Sequence, residues 1–163
     1  MRMIITKLVL DVDGVLNTGH ILYSSAGKMF KVFGPHDKDG FKIIKKYIQD
    51  ITFITADVTG WAITYARIVG DWKYDPSQLI LVSEEDRMNW FEKNCDFETT
   101  AFIADGYNDA PILSRVKLGI APCSARKEAK QAAKHITSSP AGSGAVLDAC
   151  LYIERVINGL ESI

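Results

Sequence analysis

The sequence has few cysteines, no long hydrophobic run and no excess of charge of either sign. The three cysteines are scattered and show no metal-site spacing, which favours a reducing compartment over a disulfide framework. With 19 basic and 20 acidic side chains the net charge is −1, so nothing favours nucleic acid or an anionic membrane as a partner. The amino terminus lacks the apolar core of a secretory signal, and no segment approaches membrane-spanning length. We therefore expect a cytoplasmic protein.

The chain does have the length and the pattern of an α/β domain. Its 163 residues suffice for one domain with a substantial core, and we expect residues 1–163 to form it. Apolar segments that alternate with helical ones are typical of a parallel sheet with helices on both faces. The predicted strands cover about 5–11, 51–55, 79–82, 100–105, 118–121 and 135–137. The predicted helices cover about 38–48, 58–69, 84–94 and 108–115, with one capped by Ser124 and a last one starting near 144.

Residues 20–33 break this alternation and are predicted to form a projecting β-hairpin. Two β-rich arms flank a turn that contains Gly27. A hairpin alone rarely buries an apolar face such as the one that Phe30 and Val32 suggest, so it needs a partner. Because it follows the first strand directly, we expect it to project over the functional site or toward a neighbouring subunit.

Two carboxylates at the end of the first strand mark the candidate site. The apolar run from Leu8 leads into Asp11 and Asp13, and Gly14 permits a sharp turn. Residues two apart on a strand share a face, so both carboxylates can point into one site. Such a pair is costly unless a cation, a shared proton or a substrate offsets the repulsion. A plain turn is the alternative reading, whereas a calcium loop is disfavoured because Val15 stands where an oxygen ligand would follow.

Other strands of the predicted sheet also end in polar side chains. Thr55 ends the second core strand, and Asp105 ends the fourth, with Asp109 four residues on. The ends of parallel strands lie along one edge of the sheet, so four carboxylates gather there and indicate a hard cation such as Mg²⁺. This setting suits phosphoryl transfer, with Asp11 as nucleophile and Asp13 as proton donor and acceptor.

The same residues resemble the four sequence motifs of the haloacid dehalogenase superfamily. Order and spacing match along nearly the whole chain: Asp11-Val12-Asp13-Gly14-Val15, then Thr55, a basic residue, and Asp105 with Asp109. Further features are similar to a small capless subgroup that acts on sugar phosphates of the octulosonate 8-phosphate or nonulosonate 9-phosphate type. They are the hairpin, the pattern Phe33…Asp37…Gly40 and the segment Gly142-x-Gly144-Ala145-Val146. The resemblance implies a Rossmann-like fold without a cap domain.

The resemblance also implies a role for each matched residue. Asp11 would be the nucleophile and Asp13 the general acid and base. Asp11, the main-chain carbonyl of Asp13 and Asp105 would hold Mg²⁺, with Asp109 supporting through water. Thr55 would bind the transferring phosphoryl group.

The subgroup implies further contacts with substrate and with neighbouring subunits. The substrate would be a small phosphorylated sugar acid, and the hairpins would assemble a homotetramer. The loop with Gly142 and Gly144 would reach a neighbour's site and bind substrate there. His36 occupies a position that is often basic in the family, so it is a candidate substrate-binding residue, with a solvated loop residue as the alternative.

Two departures from the family pattern affect these expectations. The usual third-motif lysine aligns with Arg87, which can bind phosphate but with another geometry, and Lys73 is the alternative. Asp57 stands two residues after Thr55, at a position where octulosonate enzymes typically have arginine. An acid there predicts a substrate-binding role for Asp57 and leans toward a nonulosonate or another sugar phosphate.

Two functions compete with a Mg²⁺-dependent phosphatase. A signalling receiver module also gathers acids, a hydroxyl and a base on a parallel sheet. Its acid pair is normally adjacent, however, which the spacing of Asp11 and Asp13 does not match. A non-catalytic domain of the same fold, such as those attached to some sugar-nucleotide synthetases, remains open because of Arg87. The presence of all four aspartates argues against that second alternative.

Overall fold

The computed structural model describes residues 3–163. Its strands are β1 (Lys7–Asp11), β2 (Asn17–Ser24), β3 (Gly27–Phe33), β4 (Asp50–Thr55), β5 (Leu79–Leu81), β6 (Thr100–Ile103), β7 (Leu118–Ala121) and β8 (His135–Ile136). Its helices are α1 (Asp37–Ile44), α2 (Trp61–Tyr65), α3 (Arg87–Asn94), α4 (Ala110–Arg115), α5 (Lys127–Ala132) and α6 (Ala145–Ile157). None of these helices is long and apolar enough to cross a membrane.

Six of the strands form one parallel sheet with a core on each face. The order is β5-β4-β1-β6-β7-β8, so β1 lies between β4 and β6 near the centre. Along β1, Leu8 and Leu10 pack with residues of α1 and α6, whereas Val9 packs with residues of α3, α4 and α5. This alternation covers both faces of the sheet and confirms the predicted α/β class.

Several helix boundaries differ from the sequence expectation. Helix α3 starts at Arg87 rather than near 84, because residues 84–86 form a turn. Ser124 does not cap α5: its hydroxyl accepts a hydrogen bond from the Ala141 amide, and the helix begins three residues later. The helix expected over 58–69 is the short α2, which continues as a wider π-helical turn over Ala66–Asp71.

The segment after that turn belongs to the core rather than to a surface loop. Trp72 and Tyr74 are 7% and 5% exposed. Their rings pack edge-on against Phe41 of α1, with centroids 5.3 and 5.6 Å away. Aromatic pairs of this geometry add to the free energy gained from burial alone. This segment therefore anchors α1 to the edge of the sheet.

Strands β2 and β3 form the predicted hairpin, and a bulge interrupts it. Leu22 pairs with Phe30, but Tyr23 pairs with Lys28, so Met29 is the extra residue in β3. The bulge shifts the alternation of side chains by one position. Lys28 and Lys31 consequently face the same way, toward the sheet edge.

The first residue of α1 carries a buried acid. Asp37 is 3% exposed, and its Oδ2 has no hydrogen-bond partner among residues 3–163. Burial raises the pKa of this carboxyl to about 7, against the lowering effect of Arg67. A carboxyl whose pKa is higher in the folded chain than in the unfolded one lowers stability as the pH rises between the two values.

We expect Asp37→Asn to remove this pH dependence. The free energy of unfolding of the variant minus that of the wild type should be about 2–4 kcal/mol larger at pH 8 than at pH 4. Urea unfolding at the two pH values measures the difference, with Asp39→Asn, an exposed site on the same helix, as the control. A constant difference between variant and wild type at both pH values would contradict the assignment.

Candidate active site

A tight turn at the end of β1 places the first two aspartates. Asp11 is the last residue of β1, and the turn over Val12–Leu16 leads into the hairpin. Gly14 has φ +83°, and a Cβ there would lie 2.1 Å from Oδ2 of Asp105. Only glycine accepts both that backbone conformation and that close approach. The turn therefore brings Asp105, two residues beyond the end of the neighbouring β6, directly against the Asp11–Asp13 segment.

Three carboxylates converge at this edge of the sheet. Asp11, Asp105 and Asp109 each offer an oxygen, and these oxygens lie within 4.8 Å of one another. Burial raises the pKa of Asp11 well above its usual range, and the negative charges of the other aspartates raise it further against the opposing effect of Arg87. Burial and the nearby charge of Asp109 raise the pKa of Asp105 to about 6. Such a donor set fits a divalent cation, which offsets the repulsion.

Arg87 brings positive charge to these carboxylates. Its Nη1 donates a hydrogen bond to Oδ1 of Asp109 at 2.6 Å, and its Nη2 lies 3.3 Å from Oδ1 of Asp11. Its side chain is 4% exposed, and its Nε has no hydrogen-bond partner among residues 3–163. Lys73, the alternative basic residue, is exposed, and its Nζ donates to the carbonyl oxygen of Gly70. The structure thus brings Arg87, and not Lys73, into the site.

Asp13 is held by polar side chains on several elements. Thr55 Oγ1 donates to Asp13 Oδ2 at 3.0 Å, and Asn17 Nδ2 donates to Asp13 Oδ1 at 2.9 Å. Lys31 Nζ lies 2.8 Å from the same Oδ1. The Thr55 side chain is fully buried, and the hydrogen bond from its hydroxyl orients the Asp13 carboxylate. Sequence reasoning did not identify Asn17 and Lys31 as site residues.

Comparisons with known proteins show what the chain is similar to. A sequence model described as haloacid dehalogenase-like hydrolase matches residues 90–149. The 3-deoxy-D-manno-octulosonate 8-phosphate phosphatase of Yersinia pestis is 27% identical over 158 residues, which cover 96% of this chain and 83% of that protein. The protein of the same description from Escherichia coli K12 is 29% identical over 157 residues, which cover 90% of this chain and 77% of the relative.

Solved structures of the same description share the fold. The crystal structure from Yersinia pestis has a TM-score of 0.77 at 26% identity and covers 97% of this chain and 85% of its own. A structure from Moraxella catarrhalis, in complex with magnesium, phosphate and KDO, has a TM-score of 0.77 at 24% identity and covers 96% and 89%. In sequence and in fold the chain is therefore similar to haloacid dehalogenase-like hydrolases. These similarities support a phosphoric monoester hydrolase.

Asp57, one of the two departures from the family pattern, lies between two lysines of the hairpin. Lys28 Nζ donates to Asp57 Oδ1 at 2.5 Å, and Lys31 Nζ lies 2.8 Å from Asp57 Oδ2. The hydroxyl of Thr59 and the amide of Gly60 also donate to Asp57. Burial opposes ionisation here, but these lysines and the Gly60 amide hold the pKa of Asp57 far below its usual range. The acid that the sequence presents at this corner is therefore neutralised within the chain.

A cavity of about 410 Å³ joins these groups. Six of the predicted site residues line it, namely Asp11, Asp13, Asp57, Arg87, Asp105 and Asp109. Lys28, Glu84, Gly19 and Ile21 also line it, and none of these four was singled out from the sequence. The sequence signal for Lys28 was weak, because Lys28 and Lys31 stand three positions apart in β3 and only the bulge at Met29 brings them to the same face.

The remaining predicted binding residues lie outside the cavity of their own chain. His36 is exposed in a left-handed conformation with φ 75°, and its Nδ1 lies 3.9 Å from Oδ2 of Asp39. Gly142 packs against the base of the hairpin, where a Cβ on Gly34 would meet its carbonyl oxygen at 1.8 Å. Gly144 is buried immediately before α6. For Gly142 and Gly144, contact with a neighbouring subunit's site stays a prediction.

Proposed function

We propose that this hydrolase removes the phosphate of a phosphorylated sugar acid through an aspartyl-phosphate on Asp11. The observation that carries the proposal is the cluster of Asp11, Asp105 and Asp109 with Arg87 in one cavity. The relatives, described as 3-deoxy-D-manno-octulosonate 8-phosphate phosphatases, support an octulosonate 8-phosphate, and a nonulosonate 9-phosphate is the alternative within the same class.

Magnesium is the cofactor that this donor set fits. Asp11 and Asp105 are buried or half-buried carboxylates at the ends of adjacent strands, and Asp109 lies beside them. In our proposal Asp11, the main-chain carbonyl of Asp13 and Asp105 hold the ion, with Asp109 supporting it through water. Bound there, Mg²⁺ supplies positive charge that offsets these carboxylates and the oxygens of the phosphoryl group.

In the first step, an oxygen of the Asp11 carboxylate attacks phosphorus. The bond between phosphorus and the ester oxygen breaks, and the carboxyl proton of Asp13 passes to that leaving oxygen. Thr55, Asn17 and Lys31 fix the orientation of Asp13 for this transfer. The products are the dephosphorylated sugar acid, the aspartyl-phosphate on Asp11 and an ionised Asp13.

In the second step, water attacks the phosphorus of the aspartyl-phosphate. Asp13 takes a proton from this water, the acyl–phosphate bond breaks, and inorganic phosphate leaves. Asp11 returns as a carboxylate and Asp13 as a protonated acid, so the proton is conserved over the cycle. The buried Nε of Arg87, which the chain leaves without an acceptor, can donate to an oxygen of the phosphoryl group.

A panel of sugar phosphates with and without Mg²⁺ tests the proposed function. We expect the highest kcat/KM for an octulosonate 8-phosphate or a nonulosonate 9-phosphate, and lower values for neutral hexose phosphates. Chelation of the metal should stop turnover of all of them. If the wild type turns over none of these substrates in Mg²⁺, the domain is a non-catalytic assembly domain instead.

We also propose that the hairpin assembles a homotetramer. The hairpin exposes large apolar side chains on β2 and β3, namely Leu22, Tyr23, Met29, Phe30 and Val32. Several exposed apolar side chains on a projecting hairpin are typical of a protein–protein contact. Symmetric association buries this surface and places a neighbouring subunit beside each site.

Charged residues at Phe30 and Val32 should disrupt this assembly. We expect the double variant Phe30→Asp/Val32→Asp to sediment as a smaller species. Its activity should fall on the order of 10-fold, because the hairpin that carries Lys28 and Lys31 loses its support. Sedimentation velocity at micromolar concentration gives the mass, with Leu151→Asp, an exposed apolar site on α6, as the control. A wild type that is a fully active monomer would contradict the proposal.

A further inference from the structure

We propose that Lys28 binds the carboxylate of the substrate and so selects for a sugar acid. The inference rests on the proposed function and adds a residue from the hairpin to its substrate site. Lys28 lies on β3, in the projecting hairpin, and its side chain lines the same cavity as the aspartate cluster. Lys28 lies outside the four motifs that carry the family resemblance.

The backbone of the hairpin accounts for the position of Lys28. Without the bulge at Met29, Lys28 and Lys31 would point to opposite faces of β3. With it, both ammonium groups reach Asp57. The side chain of Lys28 is only 7% exposed, so its ammonium group is held rather than free in solvent.

The charges in the cavity leave Lys28 as the cation for a second anionic group. Among residues 3–163, Lys28 and Arg87 are the cationic side chains that line the cavity. Arg87 forms ion pairs with Asp11 and Asp109, where the phosphoryl group reacts. Lys31 is fully buried and shared between Asp13 and Asp57. Within the described part of one chain, Lys28 is therefore the cation left to pair with a substrate carboxylate.

Lys28 retains the donors that this role needs. An ammonium group has three N–H donors, and among residues 3–163 Lys28 uses one, to Asp57 Oδ1. Lys31 is shared between Asp13 and Asp57, so the two lysines balance these two carboxylates, and the remaining N–H donors of Lys28 are left for a group that binds in the cavity. In the octulosonate pattern the residue at position 57 is an arginine. Here Asp57 stands at that position, and Lys28 of the hairpin supplies a positive charge beside it.

The test compares Lys28→Met with the wild type on substrates with and without a carboxylate. For 3-deoxy-D-manno-octulosonate 8-phosphate, or for the nonulosonate 9-phosphate if that is the better substrate, we expect KM to rise about 10- to 100-fold. For p-nitrophenyl phosphate, which has no carboxylate, kcat/KM should stay within about twofold of the wild type. Lys28→Arg should restore most of the lost affinity, because it keeps the charge.

Matched variants and outcomes separate the possible failures. Lys42→Met, at an exposed lysine of α1, should behave as the wild type on both substrates. An unchanged KM for the sugar acid phosphate in Lys28→Met would overturn the assignment, and so would equal losses on both substrates, which indicate a structural role. If the wild type hydrolyses p-nitrophenyl phosphate but neither sugar acid phosphate, the proposed substrate class fails together with the role of Lys28.

Discussion

Asp11→Asn is expected to lower kcat on p-nitrophenyl phosphate and on the sugar phosphate by about 10⁴-fold or more. The amide keeps the shape of the side chain but lacks the carboxylate that attacks phosphorus. Asp11 is 6% exposed at the end of β1, so the strand fixes the position of its carboxylate in the site. Steady-state kinetics at saturating Mg²⁺ measure the loss.

An exposed aspartate provides the control for this variant. Asp39→Asn on α1 changes the same group at a site far more open to solvent, and we expect unchanged kinetics. Circular dichroism of Asp11→Asn should match the wild type, because relief of repulsion among the buried carboxylates favours the fold. Near-normal turnover by a folded Asp11→Asn enzyme would refute the nucleophile assignment.

Asp105→Asn is expected to raise the Mg²⁺ concentration for half-maximal activity by about 10- to 100-fold. The substitution removes one negative charge from the three clustered carboxylates, and the isosteric amide avoids a new clash with Gly14. Titration of activity with MgCl₂ measures the shift, and isothermal titration calorimetry measures Mg²⁺ binding without turnover.

The metal dependence of the wild type is the companion measurement. Excess chelator should abolish its activity, and added Mg²⁺ should restore it. Glu98→Gln, at a highly exposed carboxylate, should leave the Mg²⁺ titration unchanged. Full activity of the wild type in excess chelator would contradict the role of Asp105.

The strands and the acidic cluster could be predicted because they depend on local patterns. Apolar runs that end in Asp11, Thr55 and Asp105 identify parallel strands, and parallel topology then brings their ends to one edge. The glycine at position 14 was recognised as a turn, but the sequence does not show that it also clears space for Asp105. Close approach between strands depends on register, which a single sequence does not contain.

The part of the site on the hairpin could not be predicted, for a physical reason. Lys28 and Lys31 are three apart, and a regular strand would place them on opposite faces. A bulge is a backbone adjustment to tertiary contacts, so Met29 gives no local signal of it. The same limit applies to Asp57, which the sequence presents as a candidate substrate-binding acid, whereas the structure pairs its carboxylate with Lys28 and Lys31.

The central claim, an aspartyl-phosphate on Asp11, is tested most directly in Asp13→Asn with p-nitrophenyl phosphate. The nitrophenolate leaves without a proton, so phosphorylation of Asp11 should persist in this variant while attack by water, which needs Asp13 as base, slows. Rapid acid quench and peptide mass spectrometry then identify the modified residue. The account predicts a burst of one nitrophenolate per subunit and a phosphoryl group on the peptide that contains Asp11. A burst-free reaction with no phosphorylated Asp11 peptide would contradict it.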